Sequence, residues 1–126
     1  MRPTDRKYLK THEWCQIDGD TAILGLTDHA ISQLSDLIHL ELPEVGSQVT
    51  VGETYGEIES VKSVADIYSP VSGEVIESNE DLTDDLECLH KDAYDEGWMI
   101  KVRFTAESED LIEAAAYEAQ LEAEEH

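Results

Sequence analysis

Apolar and polar residues alternate in short runs along much of the chain, and glycine or proline punctuates them. "HEWCQID" and "GDTAILGLT" place Trp14, Ile17, Ala22 and Leu24 on strand-like runs with Gly19 between them, which predicts a hairpin. Thr27 then caps a short helix in "DHAISQLSDL", with Ala30, Ile31 and Leu34 on one face. In "LIHLELPEVGSQV" the alternation runs through Ile38, Leu40 and Leu42, and Pro43 ends the strand. More short runs follow, broken at Gly46, Gly52, Gly56, Pro70 and Gly73, and "GWMIKVRF" alternates at Trp98, Ile100, Val102 and Phe104 as a last strand. The tail "SEDLIEAAAYEAQLEAEEH" is helical by composition. Leu111, Ala115 and Ala119 form its apolar stripe with Ile112 beside it, and the almost wholly Glu polar face predicts a solvated helix packed lightly on the body.

The run "GEIESVKSVADIYSPVSGEV" has a rough internal symmetry about Lys62. Ile58 stands between Glu57 and Glu59 in one arm, and Ile67 stands between Asp66 and Tyr68 in the other. Two arms of similar length meeting at "VKS" predict a hairpin with the lysine at its tip, although no Asn-Gly marks the turn type. Lys62 is also the only Lys or Arg between Thr11 and His90. A solvated lysine relieving local charge is the usual reading of such a residue. Its isolation at a hairpin apex fits covalent modification better, because a modifying enzyme needs one accessible amine on a rigid turn.

Charge and composition narrow the partners. The 126 residues hold 8 Lys plus Arg against 30 Asp plus Glu, a formal net charge of -22. That field repels nucleic-acid phosphates and anionic lipid headgroups and favours docking on basic protein faces. The length fits one domain with a useful core. Two cysteines, Cys15 and Cys88, form no CxxC and point to a reducing cytoplasm, and the apolar runs are too short to enter a membrane. His12, His29, His39, His90 and His126 show no metal-ligand spacing, so no metal is expected. Without a P-loop, GxGxxG or nucleophile elbow, the chain is not expected to be an enzyme with its own active site.

Five motifs in register carry a resemblance. "THEW" (Thr11 to Trp14), "GLTDHA" (Gly25 to Ala30), "LELPEVG" (Leu40 to Gly46), "ESVKSVADIYSPVSGEV" (Glu59 to Val75) and "GWMIKV" (Gly97 to Val102) resemble the glycine cleavage system H-protein family of lipoyl carriers. The resemblance implies a mainly β fold, a lipoyl/biotinyl-type barrel-sandwich hybrid. Its two antiparallel sheets carry a short helix in the N-terminal half and a C-terminal helix. It implies one domain over residues 1–126, with 106–126 a helical extension. It implies lipoic acid in amide linkage to Lys62, attached by a lipoate ligase or lipoyltransferase. Glu59 resembles an acidic position that ligases read, and Gly73 the glycine that lets the hairpin cross tightly.

The same resemblance implies a carrier that serves glycine decarboxylase, aminomethyltransferase and dihydrolipoamide dehydrogenase and is not itself a catalyst. Thr11, Glu13 and Asp66 then line a cleft for the loaded arm, with Gln33 at its rim, and the carboxylates suit a protonated amine. Some positions depart from the family. Leu86 to His90 replaces a run that commonly holds Pro and Asn, Asp95 stands where glycine is frequent, and Ser35 stands in place of the usual glycine of "LGD". Those departures leave open an H-protein-like lipoate-binding protein carrying sulfur intermediates for a heterodisulfide-reductase-like sulfur-oxidation complex. Cys88 and Cys15 are candidate redox partners of the dithiol, against the plainer reading of two reduced, partly buried thiols.

Overall fold

The computed structural model describes residues 3–34 and 36–124; Ser35 and His126 lie outside the described residues. Among the described residues ten strands run in chain order: β1 Lys7–Tyr8, β2 Glu13–Asp18, β3 Thr21–Leu26, β4 Leu37–Glu41, β5 Gln48–Val49, β6 Thr54–Ser60, β7 Val64–Tyr68, β8 Val71–Ser78, β9 Ile100–Glu107 and β10 Ile112–Glu113. Three α-helices accompany them: α1 Asp28–Ser32, α2 Glu87–Lys91 and α3 Ala114–Glu124, with a 3-10 turn at Glu80–Asp84. One antiparallel sheet has the order β10-β1-β2-β3-β9-β8-β5, and the other is β4-β6-β7. The mainly β two-sheet architecture with a C-terminal helix is the expected one.

The inward positions of both sheets share one core. Ile58, Ile67 and Leu40 of the small sheet pack with Leu24, Val71, Val75, Ile100 and Val102 of the large one. The β2–β3 hairpin turns at Gly19, whose φ of +64° is cheap only for glycine. Thr27 caps α1 through its Oγ1, which accepts from the Ala30 amide at 3.2 Å. α1 stops at Ser32, sooner than the alternation implied.

Two expectations change. The Ile38–Leu40–Leu42 alternation fails at its first member, because the β4–β6 register shifts between Leu37 and His39 and leaves Ile38 54% exposed. The bulge turns the half-buried Leu37 toward the core in its place. The tail is not one helix after a last strand. β9 runs on to Glu107, and β10 then pairs with β1 through Tyr8↔Ile112 and Lys7↔Glu113. That pairing starts α3 at Ala114 and turns Ala114, Tyr117 and Leu121 inward, while Ala115 and Ala119 face solvent. Nor is the packing light. Tyr117 is fully buried and stacks on Tyr8 with ring centroids 4.8 Å apart, an arrangement worth about 1 kcal/mol beyond area burial.

Gly73 lies on β8, opposite Phe104 and Val49, and so in the other sheet from the Lys62 hairpin. A Cβ there would meet the Arg103 carbonyl oxygen at 2.1 Å and the Phe104 Cα at 2.7 Å, so glycine lets β8 and β9 approach at their bulge. Gly73→Ala is expected to destabilise the fold by about 1–3 kcal/mol, read as a lower midpoint in urea. An unchanged midpoint would contradict the close approach.

Candidate functional site

Lys62 is delivered by two strands that bury alternate residues. Ile58 and Ile67 point into the core and are fully buried, while Asp66 and Tyr68 are exposed and Glu57 and Glu59 half-buried. Glu59 pairs with Val64 and Glu57 with Asp66, so only Val61 and Lys62 remain between Ser60 and Ser63. Neither loop residue has a positive φ, which rules out the glycine-type hairpin turns. A β-branched valine would resist that conformation in any case.

Serine makes the turn instead. The Ser60 amide donates to the Ser63 carbonyl at 2.8 Å, and the Ser63 amide donates to Ser60 Oγ at 3.2 Å. Ser60 is 3% exposed, so this side chain stands in for a backbone acceptor inside the hairpin end. The Val61 amide donates to the Asp36 carbonyl at 2.9 Å and ties the tip to the segment before β4. The lysine projects from this fixed turn, exposed and without an ion-pair partner among the described residues. The S-x-x-S spacing of "SVKS" is the sequence signal for this clamp.

A groove of about 350 Å³ opens farther down the hairpin, where Tyr68 and Ser69 meet Leu9, Thr11, Val51 and Asp110. Glu13 lies beneath it, 1% exposed. Thr11 Oγ1 donates to Glu13 Oε1, and the Tyr68 amide donates to Glu13 Oε2 at 3.1 Å. Glu13 therefore joins β2 of the large sheet to β7 of the small one. Burial pushes its carboxyl up to about 7, and the Thr11 and Tyr68 hydrogen bonds oppose that rise only in part. Thr11 and Glu13 thus come together through this hydrogen bond. Asp66 is exposed on the same face of β7 as Tyr68 and Gln33 ends α1, and neither is among the residues that line the groove. Tyr68 is the member that sequence reasoning missed.

The cysteines do not converge on this site. Cys15 is fully buried in the core, and burial pushes its thiol up to about 12, helped by Glu107 and opposed by Lys7. Cys88, half-buried on α2, is also raised, first by burial and then by Glu96, Asp85 and Asp92. Both shifts disfavour the thiolate that disulfide exchange needs. Asp95, at a position where glycine is frequent, has no positive φ. Its Oδ1 accepts from Arg6 Nη2 at 2.6 Å, and that guanidinium lies 4.6 Å over the Trp14 ring.

The model of the glycine cleavage H-protein family matches residues 6–124. The chain belongs to that family. It is 51% identical over 123 residues to the glycine cleavage system H protein of Rubrobacter xylanophilus, covering 98% of this chain and 97% of that protein. It is 50% identical to the one from Acinetobacter baumannii, covering 94% and 98%. The fold matches the crystal structure of a glycine cleavage system H protein from Mycobacterium marinum at a TM-score of 0.91 and 39% identity, over 96% and 99% of the two chains. Family membership supports a lipoyl-carrier role and does not favour the sulfur-oxidation alternative. Among the described residues no helix is long and apolar enough to cross a membrane.

The buried Glu13 sets a pH dependence. Its folded pKa lies above the ordinary 4.5, so the folded state holds a proton that the unfolded state has lost between about 4.5 and about 7. Its contribution is present below 4.5 and falls away as pH rises through 7, by up to about 3 kcal/mol. Glu13→Gln keeps an acceptor and the packing, and it is expected to remove this decline from urea melts taken between pH 4.5 and 8. Parallel pH profiles for the variant and the natural chain would contradict it.

Proposed function

We propose that Lys62 carries lipoate in amide linkage, and that the chain shuttles an aminomethyl group from glycine decarboxylase to aminomethyltransferase. Dihydrolipoamide dehydrogenase then reoxidises the arm. The observation that carries the reading is the turn itself. One exposed lysine, free of ion pairs among the described residues, stands on a two-residue loop clamped by Ser60 and Ser63. An unpaired primary amine on a rigid turn suits acylation, since nothing must be broken to reach it. Bound there, lipoate supplies a reducible disulfide at the end of a flexible arm.

The chain's own residues do the rest. Glu59, half-buried on β6 and paired with Val64 at the tip, is the carboxylate that a lipoate ligase or lipoyltransferase would read beside the amine. The groove over Thr11, Glu13 and Tyr68 would shelter the loaded end from water. Glu13, protonated or ionised near neutral pH, would settle as the anion against a protonated amine, with Thr11 Oγ1 and the Tyr68 amide fixing both its oxygens. Asp66 adds an exposed carboxylate on the same strand face. Gly73 contributes by packing β8 on β9 rather than by shaping the hairpin. We place this carrier in the cytoplasm, where its net negative charge favours docking on basic faces of its partner enzymes.

Lys62→Arg keeps charge and length but offers no acylable amine. It is expected to unfold within about 0.5 kcal/mol of the natural chain, because an exposed tip residue packs against little. It is also expected to lose all glycine-dependent loading by glycine decarboxylase after treatment with lipoate ligase. Loading that survives in the arginine variant would overturn the assignment.

A further inference from the structure

His12 and His29 lie in separate motifs with no metal spacing, yet the fold brings their rings together at the last turn of α3. The ring centroids are 4.8 Å apart and tilted by 43°. Glu124 completes the group, with its Oε2 4.0 Å from His12 Nε2. One ligand atom from each of the three lies within 4.8 Å of the others.

The surroundings hold these groups in place. His12 sits in the left-handed region at φ +81°, where the β1–β2 turn closes through its amide onto the Leu9 carbonyl at 3.0 Å. Its Nδ1 is 2.7 Å from the Tyr117 hydroxyl, which is 2.8 Å from Thr27 Oγ1. In the tautomer whose Nδ1–H donates to Tyr117, Nε2, 4.0 Å from Glu124 Oε2, is the nitrogen that would bind a metal. This is the outer hydrogen bond that orients a metal-bound imidazole. Thr27 also caps α1, so one network sets both His12 and the helix that carries His29. On α3, Gln120 Nε2 donates to Glu124 Oε1 at 3.3 Å and to the Lys10 carbonyl at 3.0 Å, which leaves Oε2 toward the histidine. The Gln120 Oε1 is buried with no hydrogen-bond partner.

We propose that His12, His29 and Glu124 form a site for a divalent transition metal of the zinc class. Two imidazoles and one carboxylate are a donor set for Zn2+, Ni2+ or Cu2+, whereas Mg2+ and Ca2+ take oxygen ligands. A tetrahedral ion with bonds of about 2.0–2.2 Å needs its ligands about 3.3–3.6 Å apart, so the cluster closes by about 1 Å on binding. The Glu124 side chain, 47% exposed near the end of α3, and the half-buried His29 ring on the short α1 share that movement. Water completes the coordination. The field of a chain with net charge -22 concentrates such cations. A bound ion staples the last turn of α3 to the β1–β2 turn and to α1. It also fixes the residue between Thr11, which lines the groove, and Glu13, which lies beneath it.

The test is titration of the full chain with Zn2+ by calorimetry, without a histidine tag and with Lys62 unmodified so that no dithiol competes. Thermal melts and the absorption spectrum of the Co2+ form accompany it. One-to-one binding that raises the melting temperature is expected, with a Co2+ d–d spectrum free of thiolate charge transfer and no comparable effect of Mg2+. His29→Ala and Glu124→Gln should each weaken binding by about tenfold or more, and Tyr117→Phe by about tenfold through the lost outer hydrogen bond. No Zn2+ binding, binding unchanged in His29→Ala, or a thiolate band from Cys88 would overturn the proposal.

Discussion

The Ser63 amide has to find an acceptor at the end of a hairpin with no glycine or asparagine in its loop, and Ser60 Oγ supplies it at 3.2 Å. Everything at the tip follows from that substitution of a side chain for a carbonyl. The strands need not adopt a left-handed turn, so a valine and a lysine can occupy the two loop positions. The buried Ile58 and Ile67 fix which face of each strand is inward, and the inward face then fixes where the loop points. A lysine presented in this way is positioned by backbone and serine hydrogen bonds. Its own ammonium is left available.

A second constraint joins the parts of the molecule that must stay in register with the tip. Glu13 spans the two sheets from β2 to the Tyr68 amide of β7, and the penalty for burying its carboxyl is what raises its pKa. Tyr117 does the equivalent for the C-terminal helix, stacking on Tyr8 and bonding to Thr27 and His12. Both nodes converge on the β1–β2 turn. That turn therefore couples the groove, the N-terminus of α1 and the end of α3, although it is only four residues long, from Leu9 to His12.

Much of this was legible in the chain. The arms around Lys62, the hairpin at Gly19 and the Thr27 cap follow from alternation and turn chemistry, which are local. Thr11 and Glu13 follow from motif resemblance and do meet, whereas Gln33, at the end of α1, is not among the residues that line the groove. Long-range pairing was the part that could not be read. The Ile38 bulge comes from the register of β4 on β6, and the phase of α3 comes from β10 pairing with β1. The meeting of His12 with His29 depends on a helix more than eighty residues away in sequence. Cys15 carries no sequence sign of its depth, and its full burial disfavours the thiolate.

The most direct measurement is the intact mass of the natural chain after incubation with lipoate ligase, ATP and lipoate, followed by mapping of the modified peptide. A single lipoyl adduct on Lys62 is expected, with Lys7, Lys10, Lys91 and Lys101 unmodified. An adduct on any of those four, or none under conditions that modify an established lipoyl domain, would contradict it.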